Sequence, residues 1–158
     1  MIVCMIDFAY LTAQRISDVL SLPWGDVSDE AGKEGIFFHP GKTVNSTGVR
    51  LLVSMSPDLQ EVLDRARGFG TVKGMTIIHG LDGRKYTYSG AYSAWRRACM
   101  RAGVKNAHIH DLRAKALTDA RAQGLDAQKL AGHATESMTA HYTKARMVEV
   151  VQPLRRKY

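Results

Sequence analysis

The chain has 158 residues, 45% of them hydrophobic, with 22 Lys and Arg against 15 Asp and Glu, for a net charge of +7. That length supports one sizeable core, and the absence of fixed-period repeats, low-complexity runs and Pro- or Ser-rich linkers excludes a solenoid or a chain divided by a linker. Residues 101–158 carry 11 basic and 5 acidic side chains, so six of the seven net charges lie there, which favours a polyanionic partner over a small neutral substrate.

Residues 2–11 place Ile2, Val3, Ile6, Ala9 and Tyr10 at helical spacing, which predicts a helix with one buried face. This start lacks a basic leader, meets Asp7 early and is far too short to span a bilayer, so a soluble protein is expected. A chain that begins directly on a core-type helix also predicts a missing upstream part. In the next stretch Ile16, Val19 and Leu20, with Trp24, form an apolar stripe that Pro23 ends. Arg15 lies off the stripe, where a surface arginine paired with Asp18 three residues on is the ordinary reading.

Between 31 and 54, IFFH and VRLLVS are rich in β-branched and aromatic residues and flank GKTVNSTG, which has turn chemistry. A β-hairpin is predicted, with Lys42 at its tip. Ser56 then caps a helix that Pro57 opens, with Leu59, Val62, Leu63 and Ala66 inward. TIIHG at 76–80 reads as a short strand or extended piece, and LDGRKYTYSG as a polar turn. Ser89 to Ala102 reads as a helix with Tyr92, Trp95, Cys99 and Ala102 on one face, ended by Gly103. Arg84, Lys85, Arg96 and Arg97 can contact a phosphate backbone, although a solvated basic face is the commoner meaning of such charges.

The most informative stretch runs from His110 to Tyr142, HDLRAKALTDARAQGLDAQKLAGHATESMTAHY. If Asp111 opens a helix, His110 and Arg113 lie on one face of its first turn, where free backbone N–H groups and the positive end of the dipole suit an anion. Gly124 reads as the stop of that helix, and Leu125 to Leu130 as a short helix delivering Ala131, Gly132 and His133. Tyr142 follows His133 near the end of a short helix that Thr135 can cap. A lone H-x-x-R is ordinarily solvated or paired with acids, so the information is in the combination.

HDLR, LAGH and HY at these separations resemble the C-terminal motifs of tyrosine recombinases, the phage-integrase family of site-specific DNA recombinases. TAQRISD resembles the family's first arginine motif, T-G-x-R-I-S-E, with Arg15 at the catalytic arginine and Asp18 at the supporting acid. Lys42-Thr43 resembles the hairpin lysine that reaches the scissile phosphate. The resemblance covers Arg15 to Tyr142 and implies an α+β, mainly α catalytic domain with a small antiparallel sheet. It implies that Tyr142 is the nucleophile, a phenol of ordinary pKa about 10 that needs a positive setting to attack. Arg15 and Arg113 would supply that setting by gripping the non-bridging oxygens, a task that metals perform in other phosphoryl-transfer enzymes. Lys42 would protonate the leaving 5′ oxygen, His110 would exchange a proton with the nucleophile, and His133 would donate to a non-bridging oxygen.

The implied product is a 3′-phosphotyrosyl intermediate with a free 5′-hydroxyl, formed without ATP or any cofactor. The implied partners are double-stranded DNA and other recombinase protomers, as a tetramer on paired sites and a monomer in isolation, in the cytoplasm of a bacterial host. Residues 1–158 would be the catalytic domain, with the family's N-terminal DNA-binding domain absent and 143–158 a tail. Three residues depart from the pattern: Ala13 replaces the usual glycine, Ala114 follows HDLR where histidine is frequent, and Ala131 replaces a common leucine. Ala13 matters most, because glycine tolerates a positive φ before Arg15 and alanine resists it.

Other chemistries lack their residues. There is no H-E-x-x-H, no C-x-x-C, no phosphate-cradling glycine loop and no nucleophile elbow, and His108-x-His110 alternates sides if extended. Cys4 and Cys99 fall on apolar helix faces and read as buried free thiols in a reducing cytoplasm. Two alternatives remain, a type IB topoisomerase of similar chemistry and a DNA-binding relative without catalysis. In the tail, Met147, Val148, Val150 and Val151 form an apolar cluster before Pro153 and a basic run, expected to dock either on its own domain or on a neighbouring protomer.

Overall fold

The computed structural model describes residues 1–39 and 51–132. Lys42, His133, Thr135, Tyr142 and the tail 143–158 lie outside the described residues. Helix α1 (Ile2–Thr12) leads through a three-residue link to α2 (Ile16–Ser21) and a 3-10 turn (Trp24–Asp26). Strands β1 (Val27–Ser28), β2 (Gly35–Phe38) and β3 (Leu51–Ser54) form one antiparallel sheet in that order, with Val27 opposite Ile36 and Ile36 opposite Val53. Four helices follow: α3 (Pro57–Arg67), α4 (Tyr88–Arg101), α5 (Asp111–Ala122) and α6 (Ala127–Ala131).

Helix α1 is the hub, packing against α3 on one side and α5 on another. Its buried side chains are Cys4, Met5, Phe8, Ala9 and Thr12, whereas Val3 is 54% exposed and Tyr10 lies at the rim. The expected face was therefore rotated: α1 is apolar nearly all round, so hydrophobic spacing does not select which side turns inward. Phe8 reaches the sheet, its ring centroid 6.3 Å from that of Phe38. The core continues through Leu20, Ile36, Leu63, Ile77 and Ile78, all buried. Each such side chain stabilises the fold by roughly 1.5–3 kcal/mol relative to exposure.

Several local signals act as read. The Ser56 hydroxyl accepts the Leu59 N–H at 3.2 Å, Pro57 opens α3, and Leu59, Val62, Leu63 and Ala66 are all buried. Gly124, at φ 75, ends α5: its N–H reaches the Arg121 carbonyl and Leu125 N–H reaches that of Ala120, closing the last turn. TIIHG is the extended piece expected, joined to Leu22–Trp24 by backbone bonds outside the sheet, with Ile77 N–H on Leu22 O at 3.0 Å. Other signals shift. On α4 only Ala91 and Trp95 are buried, while Tyr92 and Ala102 face solvent. Strand β1 adds a third member to the expected hairpin.

A second, smaller cluster of Ala13, Ala116, Leu117, Ala120, Ala127 and Ala131 fills the space where α5 and α6 approach the end of α1. Alanines let these backbones come close. At its edge the Tyr10 hydroxyl donates to Asp119 at 2.6 Å, tying α1 to α5. Lys115 and then Tyr10 hold the Asp119 carboxyl below its ordinary range, and the same carboxylate raises the Tyr10 hydroxyl.

Ala13 caps α1 in the left-handed region, at φ 53 and ψ 21, and is fully buried. Alanine thus adopts the conformation for which the family's glycine is suited, at a strain of about 1 kcal/mol that roughly cancels the gain from burying its methyl group. Ala13→Gly should therefore change stability by less than about 1 kcal/mol, whereas Ala116→Gly, buried in a helix interior, should lose about 2 kcal/mol. Denaturant unfolding of the two variants checks this, and equal losses would remove the strain at Ala13.

Candidate active site

The centre of the site is a guanidinium held between two helix ends. Helix α1 terminates at Thr12 and α6 at Ala131, and each end leaves backbone carbonyls without partners in its own helix. Arg113, in the first turn of α5 and only 3% exposed, spans the gap: Nη1 donates to Ala13 O at 2.6 Å and Nη2 to Ala131 O at 2.9 Å. A cation suits both ends, because helix C-termini carry the negative pole of the peptide dipoles. The Gln14 amide crosses the same gap beside it.

One residue beyond Gln14, Arg15 is the N-cap of α2. Its side chain is 20% exposed and its Nη1 lies 3.8 Å from Asp18 Oδ2, an ion pair too long to be a hydrogen bond. Asp18 and Arg15 thus form a partly buried pair within the first turn of α2. From Asp18 a cleft of about 250 Å³, lined also by Leu22, Asp26, Phe38 and His39, runs to the point where the chain enters residues 40–50. That segment contains Lys42, outside the described residues.

His110 precedes Arg113 by one turn, as the N-cap residue of α5. The two side chains diverge from the single shared face expected: Arg113 turns inward to the carbonyls, while His110 is exposed. The imidazole meets Tyr88, the first residue of α4, whose hydroxyl lies 3.2 Å from Nε2 in a hydrogen bond whose direction follows the tautomer. The rings are tilted, with centroids 6.3 Å apart. The first turn of α5 also carries its own carboxylate, since Asp111 Oδ2 accepts the His108 N–H at 2.8 Å.

Of the six residues singled out, the fold sets Arg113 on the Ala13 carbonyl, two residues before Arg15, and places His110 on the same helix turn as Arg113. Lys42, His133 and Tyr142 lie outside the described residues, although Gly132, at φ 63, ends α6 one residue before His133. Sequence reasoning missed Tyr88, which is 22 residues from His110 and inside what reads as a polar turn. It also missed Gln14, the unspecified position of the first arginine motif. Among the described residues no three His, Cys, Asp or Glu side chains gather as a metal ion would need.

Relatives place this arrangement in context. The sequence pattern of the phage integrase family matches residues 2–149. The chain is 28% identical over 148 residues to tyrosine recombinase XerC of Herpetosiphon aurantiacus, covering 88% of this chain and 46% of that protein. It is 27% identical to a shufflon-specific DNA recombinase of Escherichia coli, covering 98% of this chain and 37% of that one. The chain thus spans less than half the length of these curated relatives.

Among solved structures, a lambda integrase fragment crystallised as a dimer on a COC′ core site superposes with a TM-score of 0.77 at 22% identity, over 96% of this chain and 55% of that one. The lambda integrase catalytic core alone gives 0.70 at 21% identity, over 84% and 79%. Lambda integrase was also solved as a tetramer on a Holliday junction, with a TM-score of 0.76 at 21% identity, over 96% of this chain and 45% of that one. These likenesses establish the fold, an α+β catalytic-core architecture that is mainly helical with a small antiparallel sheet. With its family pattern running almost end to end, the chain belongs to the phage integrase family.

Proposed function

We propose that this chain is the catalytic domain of a site-specific DNA recombinase, cutting and rejoining DNA strands without a metal through a 3′-phosphotyrosyl intermediate. The observation that carries this reading is the Arg113 bridge. Three stretches far apart in sequence, around Arg15, His110–Arg113 and Leu130–Gly132, converge on one guanidinium. Packing alone does not require this, because apolar contacts would hold α1 to α5 without a buried charge.

In this reading the Tyr142 phenolate attacks the scissile phosphorus, the bond to the 5′ oxygen breaks, and Lys42 protonates that oxygen. Arg15 stabilises the charge on the non-bridging oxygens, and Arg113, whose fork also holds the Ala13 and Ala131 carbonyls, adds its positive charge beside them. His133 donates to one of those oxygens, and His110 accepts the phenol proton and later returns it. Attack by another strand's 5′-hydroxyl reverses the chemistry, so the phosphodiester energy is conserved and no cofactor is consumed. Double-stranded DNA is the substrate, and other protomers complete a tetramer on paired sites, in line with the DNA-bound dimer and tetramer of lambda integrase. The bacterial cytoplasm is the fitting location; among the described residues no helix is long and apolar enough to cross a membrane.

Incubation with nicked duplexes bearing candidate sites should yield a denaturant-resistant protein–DNA adduct that maps to Tyr142 and persists in chelator. Tyr142→Phe should abolish it while DNA binding stays within about twofold, because the phenol is needed only for bond formation. The Phe variants of Tyr10, Tyr86, Tyr92, Tyr158 and Tyr88 should all retain it. Tyr88 is the strictest control, since its hydroxyl lies beside His110. An adduct on Tyr88 or a need for added metal would refute the reading, and relaxation of supercoiled DNA by the monomer would favour a type IB topoisomerase.

Arg113→Lys keeps a charge but loses the planar fork, so cleavage should fall about 10²–10³-fold, far more than binding. Because the same fork joins two carbonyls, the melting temperature should fall as well. Equal losses in cleavage and binding, measured where the variant is folded, would reduce Arg113 to a backbone contact.

A further inference from the structure

Gln14 stands between the strained cap Ala13 and the partly buried Arg15, and it is 1% exposed. Glutamine side chains are ordinarily solvated. Here its Nε2 donates twice, to Thr12 O at 3.0 Å and to Leu130 O at 2.8 Å. Arg113 makes the same kind of link one residue further along each segment, from Ala13 O to Ala131 O. The carbonyls of 12 and 13 are thus joined to those of 130 and 131 by two neighbouring rungs, one an amide and one a guanidinium. The amide orientation follows from this pairing, since both neighbours of that nitrogen are carbonyl oxygens and only an NH2 group can serve both.

The two rungs have different consequences. Arg113 fixes the separation of the two segments at one point, which leaves a rotation about the guanidinium. A second rung one residue away removes that rotation, so the backbone that launches Arg15 is fixed relative to the segment that ends at Gly132. We propose that Gln14 is a positioning residue of this site: its amide sets the orientation of the Arg15 turn against the α6 end, acting through Arg15 and Arg113 without touching DNA. This deepens the recombinase reading and rests on it for its catalytic consequence.

The test compares the wild-type chain with Gln14→Met, which keeps length and volume but removes both donors. Gln14→Asn is the second variant: shorter by one methylene, it keeps a polar group for the local Thr12 carbonyl and falls short of Leu130, so it folds under milder loss. Single-turnover cleavage of a nicked duplex at saturating protein, at a temperature where all chains are fully folded by circular dichroism, should slow about tenfold or more in either variant, because misplacement by a fraction of an ångström to an ångström is costly in phosphoryl transfer. The Kd for the same duplex should stay within about twofold of wild type. In arginine-15N-labelled protein, the side-chain Nε–H resonances of Arg15 and Arg113 should shift or broaden in both variants.

Cleavage within twofold of wild type in the folded variants, with unchanged arginine resonances, would overturn the proposal and leave Gln14 as packing alone. Parallel losses of rate and affinity would overturn it too, as a general disturbance of the DNA-binding face. If the wild-type chain forms no adduct at all, the recombinase reading fails, while the arginine resonances still decide whether Gln14 orients the two guanidiniums.

Discussion

A buried guanidinium between two helix C-termini is the constraint on which the rest of this domain depends. Taking a charge out of water costs several kcal/mol unless polar groups answer it. The Ala13 and Ala131 carbonyls do so here, and they are groups that α1 and α6 would otherwise leave unsatisfied. The arrangement therefore solves two problems at once, each of which would be destabilising alone. It also dictates what surrounds it. A planar fork can reach two backbones only if they lie close, and Ala13, Ala116, Ala120, Ala127 and Ala131 are small enough to allow that approach. Ala131, which departs from the family's usual leucine, belongs to this set.

The bridge also links folding to chemistry. Arg15 stands two residues beyond one bridged carbonyl, and Gly132 follows the other directly. Asp18 meets Arg15 from the same short helix, Tyr88 meets His110 from α4, and backbone carbonyls meet Arg113, so each described polar group of the site is held by a partner. Such support is what phosphoryl transfer needs, since the catalytic work there is mostly placing fixed charges where negative charge will develop. A domain built this way cannot lose Arg113 as a chemical group without also losing it as a tie between helix ends.

Much of this was legible in the sequence where the signal is local. Ser56-Pro57 and Gly124 fix helix ends through bonds made within a few residues, and they act as read. The Arg15–Asp18 pair was also legible, and it survives in the fold. The inward turn of Arg113 was not, because its acceptors lie 100 and 18 residues away and the spacing of a helix face says nothing about which carbonyls approach it. The same holds for Tyr88. The buried face of α1 was misjudged for a different reason: Ile2, Val3 and Ile6 are as apolar as Met5 and Phe8, so only the packing of α3 and α5 decides between them. Strand β1, two residues long, is too short to carry a period of two.

Amide hydrogen exchange on Arg113→Lys, compared with the wild-type chain under conditions where both are folded, tests the bridge most directly. If one guanidinium holds both helix ends, exchange should speed up together at Asp18 and Val19, whose N–H groups bond to Arg15 O, and at Leu130 and Gly132, bonded within α6, while β2, β3 and α3 stay protected. Faster exchange at only one of the two ends, or unchanged protection at both, would contradict the claim that Arg113 joins them.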